Sequence, residues 1–383
     1  MTEKAPLKEQ ALNAARITRI GNEVRAVRPD FDAEGFSRSV LADLPRLELK
    51  ERIARTSQGL HDYLPAAGPQ ALDVLLRSLP PTPEAAGVTN DFGLHIYSPH
   101  SDYVARYCRT AEQVEHALAA LRRLTPYFSA EDAVRYFIKD FPDLTMRAVD
   151  QWARDPDHRV RRLASESTRP RLPWSPRIPL PIDAALPILD QLYADPSRYV
   201  TRSVANHMRD IAADDPDLAL SALQRWRAAG LARDKEFTFI AREALRTRLK
   251  QGWPPAYEFL GYDPEAPVEL SPIRLETSEL TDGAELAFTA DLTSSARVPL
   301  HVTYVISSNT QKGARSEKVF FLTRATAEAG QILPLAKQHR LRSTATTKIT
   351  PGGYELQLQV NGRRFAAAHS EVLAPTAGGQ SGT

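Results

Sequence analysis

The stretch His158 to Trp174, HRVRRLASESTRPRLPW, sets five arginines around a single carboxylate, Glu166. Guanidinium groups at this density suit phosphates, and a carboxylate among them repels the same polyanion. Such a carboxylate is useful where positive charge appears, as on an alkylated base or an oxocarbenium sugar. If residues 157–169 form a helix, Val160, Leu163, Ala164 and Ser167 share one face and suit a core. Arg159, Arg162, Glu166 and Arg169 then lie together on the opposite face. The alternative is a solvated face on which Arg162 and Glu166 pair locally for a small gain, and the spacing leaves both readings open. A second acid, Glu131, stands in FSAEDAVRYF near a helix start, where Ser129 and Asp132 have capping-box-like spacing. An acid favoured by the helix N-terminus is the simpler account of Glu131 on sequence alone. Trp174 follows Pro170 and Pro173, which stiffen the chain leaving the helix. Its ring either packs between helices or forms an aromatic wall for a cationic base. Packing between helices accounts for Trp152, Trp226 and Trp253, and His207 is open between a hydrogen-bonded groove residue and a catalyst.

These residues need a scaffold, and from about Phe31 to Gly261 the apolar residues recur at helical spacing, with Pro, Asp and Gly between segments. Sliding residues 149–169 by forty positions matches Asp150 with Asp190, Gln151 with Gln191, Asp155 with Asp195 and Pro156 with Pro196. The same shift matches Val160 with Val200, Arg162 with Arg202 and Arg169 with Arg209. A further shift brings Arg242 and Ile240 into register. Paired helices repeating every 40 to 47 residues or so are the HEAT or armadillo period, which predicts an α-solenoid. Second helices of such repeats line one surface, so Arg162, Arg202 and Arg242 are expected to form a track for a phosphate backbone. The position of Glu166 is Asn206 in the next repeat and Arg246 in the one after, so one repeat alone puts a carboxylate there.

After Asp263-Pro264-Glu265 the pattern changes to short alternating runs, AELAFTADL, LHVTYVIS, KVFFLT and YELQLQV, with Asn361-Gly362 as a hairpin signal. The fold class expected is therefore mainly α: a HEAT-like solenoid over 1–263, an all-β immunoglobulin-like sandwich over 267–374 and a flexible tail over 375–383. The sandwich loops QKGAR and KQHRLRSTATTK collect Lys312, Arg315, Lys337, His339, Arg340, Arg342 and Lys348, a basic cluster that could close around DNA held by the helices.

The formal charge of +2, from 49 basic and 47 acidic residues, means that any nucleic-acid affinity comes from clustering of charge. One cysteine, Cys108, leaves no internal disulfide framework or multi-cysteine metal site and reads as a core thiol. No apolar leader and no membrane-length stretch is seen, so the protein is expected in the cytoplasm. No P-loop, GxGxxG after a strand, HExxH or GxSxG occurs and the histidines do not cluster, so no cofactor, no nucleotide and no metal is expected. What remains is acid-assisted hydrolysis or pure binding.

The segments FSAEDAVRYFIKDFP, WARDPDHRVRRLASESTRPRLPW, DPSRYVTRSVANHMRDIAADDPD and REALRTRLKQGWPPAYEFLGY resemble the AlkC branch of the AlkC/AlkD DNA glycosylases. The resemblance continues through SEKVFFLT and AKQHRLRSTATTKITPGGYELQLQVNG and covers nearly the whole chain. It implies a HEAT-like superhelix clasping damaged duplex DNA, in the subgroup with a C-terminal immunoglobulin-like domain. It also implies hydrolysis of the N-glycosidic bond of cationic lesions such as 3-methyladenine, with 3-methylcytosine associated with the AlkC type. By matching motif, the lesion-facing carboxylates fall on Glu131 and Glu166, the groove arginine on Arg162 and the aromatic contact on Trp174. Arg159, Arg169, Arg171, Arg202, Asn206, Arg209, Arg242, Lys312, Arg340 and Arg342 are the expected DNA contacts. Two departures stand out: Ser167 replaces the glycine usual after the SE of the motif, and SSNTQKGARSEKVF replaces a KxNGKxSPKVF-like loop.

The expectation is a monofunctional glycosylase acting as a monomer on alkylated double-stranded DNA, reaching the lesion without enclosing it in a deep pocket. With no lysine in the motif placed as a Schiff-base nucleophile, no lyase activity is expected. The alternative is a non-catalytic HEAT scaffold for DNA or a protein, which would release no free base. A carbohydrate-active protein is the third reading, and the arginines suit a polyanion better.

Overall fold

The computed structural model describes residues 5–64, 68–309, 313–344 and 348–374. Lys312 and the expected tail lie outside the described residues. Contacts divide the chain into two compact units, Met1–Ala244 and Leu245–Thr383.

The named elements of the first unit are all helices. Helices begin earlier than the pattern from Phe31 predicts: Ala14–Val27 is capped by the Asn13 side chain and buries Ile17, Ile20 and Val24. From the middle of the unit onward, the helices Glu131–Asp140, His158–Ser167, Arg198–Asp214 and Asp234–Ala244 pack one beside the next. Pro142–Trp152, Leu186–Leu192 and Pro216–Ala229 alternate with them as the partners of a HEAT-like array.

The residues that recur at forty positions turn out to be staples between repeats. Asp155 accepts from the Asp157 amide at 2.8 Å and pairs with Arg122 of the preceding repeat. Asp195 accepts from the Ser197 amide at 2.8 Å and pairs with Arg161 at 2.6 Å. In the same way Asp150 accepts from Gln191, and Asp190 accepts from the Trp226 indole at 2.6 Å. Each acid satisfies an orphan amide or ties one repeat to the next, so it must return at the repeat period. Trp152 and Trp226 are buried, Trp226 stacked on Tyr193 with centroids 4.7 Å apart. Cys108 is buried too, and burial pushes its thiol up to about 11.

The second unit opens with the short helices Arg246–Lys250 and Pro254–Phe259 and continues as a sandwich of two sheets. These helices group with the strands because Gln359, fully buried in the strand Gly352–Val360, donates to the Leu249 carbonyl and the Tyr257 hydroxyl. One sheet centres on Glu285–Ser294, paired along its length with Leu333–Arg340. In the other, Val298–Asn309 runs antiparallel to both Arg315–Ala327 and Gly352–Val360. Leu286, Phe288, Leu300, Val302, Tyr304, Leu356 and Leu358 fill the space between.

Asn361 and Gly362, at φ 46 and 93, form the two-residue turn that joins Val360 to Arg363, as the Asn-Gly pair predicts. The Asn361 side chain also donates to the carbonyls of Asp263 (2.9 Å) and Pro299 (3.1 Å) and accepts from the His301 amide at 2.8 Å. Asn361→Ala strands those groups in a site that is 1% exposed and keeps a positive φ. It should cost about 2 kcal/mol and lower the unfolding temperature by a few degrees, measurable by calorimetry; an unchanged transition would contradict this role.

The basic cluster is not confined to loops. Lys337, His339 and Arg340 belong to the strand Leu333–Arg340, where Arg340 stands opposite Glu285, and Arg315 starts a strand and pairs with Glu355. Alternation in LPLAKQHR is masked by charges on its outer face, which is why it reads as a loop. Arg340 and Arg342 are both exposed.

Candidate functional site

The first turn of Glu131–Asp140 and the whole of His158–Ser167 bring the two acids to one guanidinium. Arg162 Nη1 donates to Glu131 Oε2 at 3.0 Å and to Ser129 Oγ, while Nη2 lies 3.6 Å from Glu166 Oε2. Ser129 also donates to Glu131. Glu166 then accepts from Arg169 Nη1 at 2.6 Å and from Ser203 Oγ at 2.6 Å, and Arg169 Nε reaches Asp210 at 2.9 Å. The result is one chain of alternating charge, Glu131, Arg162, Glu166, Arg169, Asp210, spanning three helices. The Tyr199 ring covers Arg162 with 5.0 Å between guanidinium carbon and ring centroid.

Burial by itself would raise the Glu166 carboxyl. Arg162, Arg169 and the Ser203 hydroxyl outweigh it and hold the group below the usual carboxylate range, ionised at neutral pH. Burial also works against the charge on Arg162, and its two carboxylates reverse that and raise it. Asp210 moves the other way, pushed up by burial in spite of Arg169. Glu131 Oε2 is occupied by Ser129 and Arg162, and its Oε1 takes no hydrogen bond from the described residues.

Trp174 stands 86% exposed on the proline-rich segment after His158–Ser167, with φ 67, a left-handed backbone unusual for a residue with a side chain. The Lys50 ammonium donates to its carbonyl and to Asp132, next to Glu131.

Comparison with known proteins identifies the scaffold. The chain is 30% identical over 362 residues to the uncharacterized protein YhaZ of Bacillus subtilis (strain 168), covering 94% of this chain and 97% of that protein. The family model described as the C-terminal Ig-like domain of the uncharacterised protein YhaZ matches residues 269–374. A solved structure of Pseudomonas fluorescens alkylpurine DNA glycosylase AlkC, bound to DNA containing an abasic site analog, shares 33% identity and a TM-score of 0.86. That match covers 97% of this chain and 100% of the other. The chain belongs to the AlkC/YhaZ family, in the group with a C-terminal immunoglobulin-like domain.

Within this AlkC-type scaffold several side chains stand differently from their sequence expectation. The arginine face of His158–Ser167 is not open: Arg162 is 9%, Glu166 5% and Arg169 6% exposed, because Arg198–Asp214 packs over it with Ser203 and Asp210. Arg169, expected at a phosphate, instead braces Glu166 against Asp210. Arg159 is folded back onto its own helix cap, Asp157. The Ser129 and Asp132 capping box does not form: Ala130 is the cap residue, Ser129 serves Glu131 and Arg162, and Asp132 serves Lys50.

The arginine track is likewise uneven. Arg202 is exposed with no hydrogen bond or ion pair among the described residues, whereas Arg162 is consumed by the acids and Arg242 is half-buried. Arg171 pairs with Asp214, Arg209 lies 3.8 Å from Glu243, and Asn206 is half-buried between them in sequence. His207 is buried, its Nδ1 3.0 Å from the Ser165 carbonyl, and burial pushes it down to about 3. The carbonyl can only accept, so Nδ1 carries the proton and the ring is neutral, a packed residue and not an acid or base at physiological pH. Ser203, Tyr199 and Arg135 belong to the site although no motif singles them out. Ser203 alone had a signal: it sits forty positions after Leu163 and presents a hydroxyl where the preceding repeat has a core leucine.

No helix is long and apolar enough to cross a membrane, and among the described residues no group of His, Cys, Asp and Glu could hold a metal ion.

Proposed function

We propose that the protein is a DNA repair glycosylase that hydrolyses the N-glycosidic bond of cationic N3-alkylated bases, 3-methyladenine and 3-methylcytosine, in duplex DNA. The observation that carries this reading is the pair of carboxylates set on either side of Arg162, with one oxygen of Glu131 taking no hydrogen bond from the described residues. The solved relative, named as an alkylpurine DNA glycosylase, supports it.

An N3-alkylated base already carries the positive charge that a neutral base acquires only by protonation. The C1′–N bond breaks with its electron pair going to the base, which leaves neutral, and the charge moves to the sugar as an oxocarbenium ion. The carboxylates of Glu131 and Glu166, paired about Arg162 in a poorly hydrated site, stabilise that charge. Glu131 Oε1 holds the water that adds to C1′ and takes its proton. Arg162 fixes the spacing of the acids and Trp174 stands against the cationic base. A ring exposed on a stiff segment supports recognition at the duplex surface without base flipping. The Lys50 ammonium, occupied by Asp132 and the Trp174 carbonyl, supports a hydrolase without a Schiff base, so borohydride should trap no adduct.

The test is incubation with methylated duplex DNA and identification of what is released. Free 3-methyladenine with matching abasic sites is expected; retention of DNA with no released base would leave only a scaffold. Two further results are expected. Because the Glu166 carboxyl is held below its usual range, it keeps its charge in mild acid, and the rate should stay level from neutral pH down to the upper edge of the ordinary carboxylate range, roughly pH 5. A loss centred near neutrality would point to a different ionising group. Arg202→Ala should weaken damaged and undamaged DNA alike and reduce the salt slope of binding by about one unit, since a phosphate contact carries no sequence information; unchanged affinity and slope would make Arg202 a solvated arginine.

A further inference from the structure

Trp174 raises a question that its exposure alone does not answer. A free indole on a loop would sample many orientations, and a left-handed backbone at a residue with a Cβ persists only when its surroundings impose it. Two cations supply that constraint, both anchored on the first two turns of the helix Glu131–Asp140. Arg135, one turn beyond Glu131 and 1% exposed, donates from Nη1 to the carbonyls of Ser167 (3.0 Å) and Arg169 (2.6 Å) and from Nε to that of Pro176 (2.7 Å). It thereby clamps the segment carrying Trp174 at both ends. Lys50, from the helix Leu49–Tyr63, holds the carbonyl of Trp174 itself and returns to Asp132 at 3.2 Å.

We infer that Lys50 and Arg135 are positioning residues for Trp174, fixing its indole relative to Glu131 through hydrogen bonds to the main chain on either side of the ring. The inference rests on reading Trp174 as the ring that meets the cationic base. Its chemistry is plain: Lys50 is exposed, and an exposed ion pair with Asp132 adds little to stability. Its second acceptor is the main-chain carbonyl of the strained residue, so its contribution is to the direction of the ring. Three carbonyls on one buried guanidinium likewise hold the path of the loop, with no carboxylate among its hydrogen-bond acceptors. Glu131 and the aromatic are thus referred to one rigid element, since Glu131, Asp132 and Arg135 share a helix.

The test uses the full chain labelled with 5-fluorotryptophan, with the Trp174 fluorine line assigned by Trp174→Phe. Lys50→Met should shift or split the Trp174 line while the lines of Trp152, Trp226 and Trp253 stay in place, which also shows that the fold is kept. Single-turnover excision from methylated duplex DNA should fall about tenfold in Lys50→Met and be largely restored in Lys50→Arg, which keeps a donor. In a Trp174→Ala background the same Lys50→Met change should have no further effect. Arg135→Gln should move the same fluorine line. An unmoved Trp174 line in Lys50→Met, or a tenfold loss that persists without the tryptophan, would overturn the inference. If the wild-type protein releases no base, the glycosylase reading fails, and the fluorine line alone then decides the positioning role.

Discussion

Glu166→Gln should keep the fold and the affinity for DNA and lose about two orders of magnitude in base excision. Glutamine retains the shape, its amide oxygen still accepting from Arg169 and its NH2 donating to the Ser203 hydroxyl, while Glu131 continues to neutralise Arg162 and Asp210 continues to neutralise Arg169. No guanidinium is stranded, so the structural cost is contained. What disappears is a full negative charge in a site where water screens little, worth about 3 kcal/mol to an oxocarbenium ion. The measurement is single-turnover release of 3-methyladenine, paired with binding of an undamaged duplex. Near-normal release would remove Glu166 from the chemistry; a parallel fall in unfolding temperature would make the loss a folding effect.

Glu131→Gln should act in the same direction, by about one to two orders of magnitude. Here the reason differs in part, because Oε1 takes no hydrogen bond from the described residues and an amide cannot take a proton from the attacking water. If both acids face one cationic centre, the double variant should be only slightly slower than the worse single variant, since the second removal acts on a site already deprived of its charge balance. Strict additivity in a double-mutant cycle would mean that the two carboxylates act on separate things, and the shared target would be lost.

Much of this scaffold is legible in the sequence because its periodic residues have periodic duties. Asp155 and Asp195 recur because each holds the amide of the residue that caps the next helix and binds a neighbouring arginine, and Asn361-Gly362 announces a turn that few other pairs can form. Glu166 stands out for the opposite reason, as the carboxylate that breaks the register shared with Asn206 and Arg246. What spacing does not carry is the environment of each face. Arg162 is on the predicted side of its helix and Arg169 lies just past the helix end, which comes at Ser167 and not at 169, yet the neighbouring helix turns that side into an interior, and charges expected to meet phosphate meet acids. Ser203, Tyr199 and Arg135 act on residues 32 to 41 positions away or through main-chain carbonyls, which no local motif records. In LPLAKQHR the charges on the exposed face conceal a strand whose apolar positions are few.

The central claim is that two carboxylates held about Arg162 promote departure of a cationic base, and it is tested most directly by chromatography of the bases freed from methylated duplex DNA by the wild-type protein and by Glu166→Gln at equal DNA occupancy. The account predicts free 3-methyladenine, matched one for one by abasic sites, from the wild type and about a hundredfold slower release from the variant. Equal release by the two proteins, or bound DNA that yields no free base with either, would contradict it.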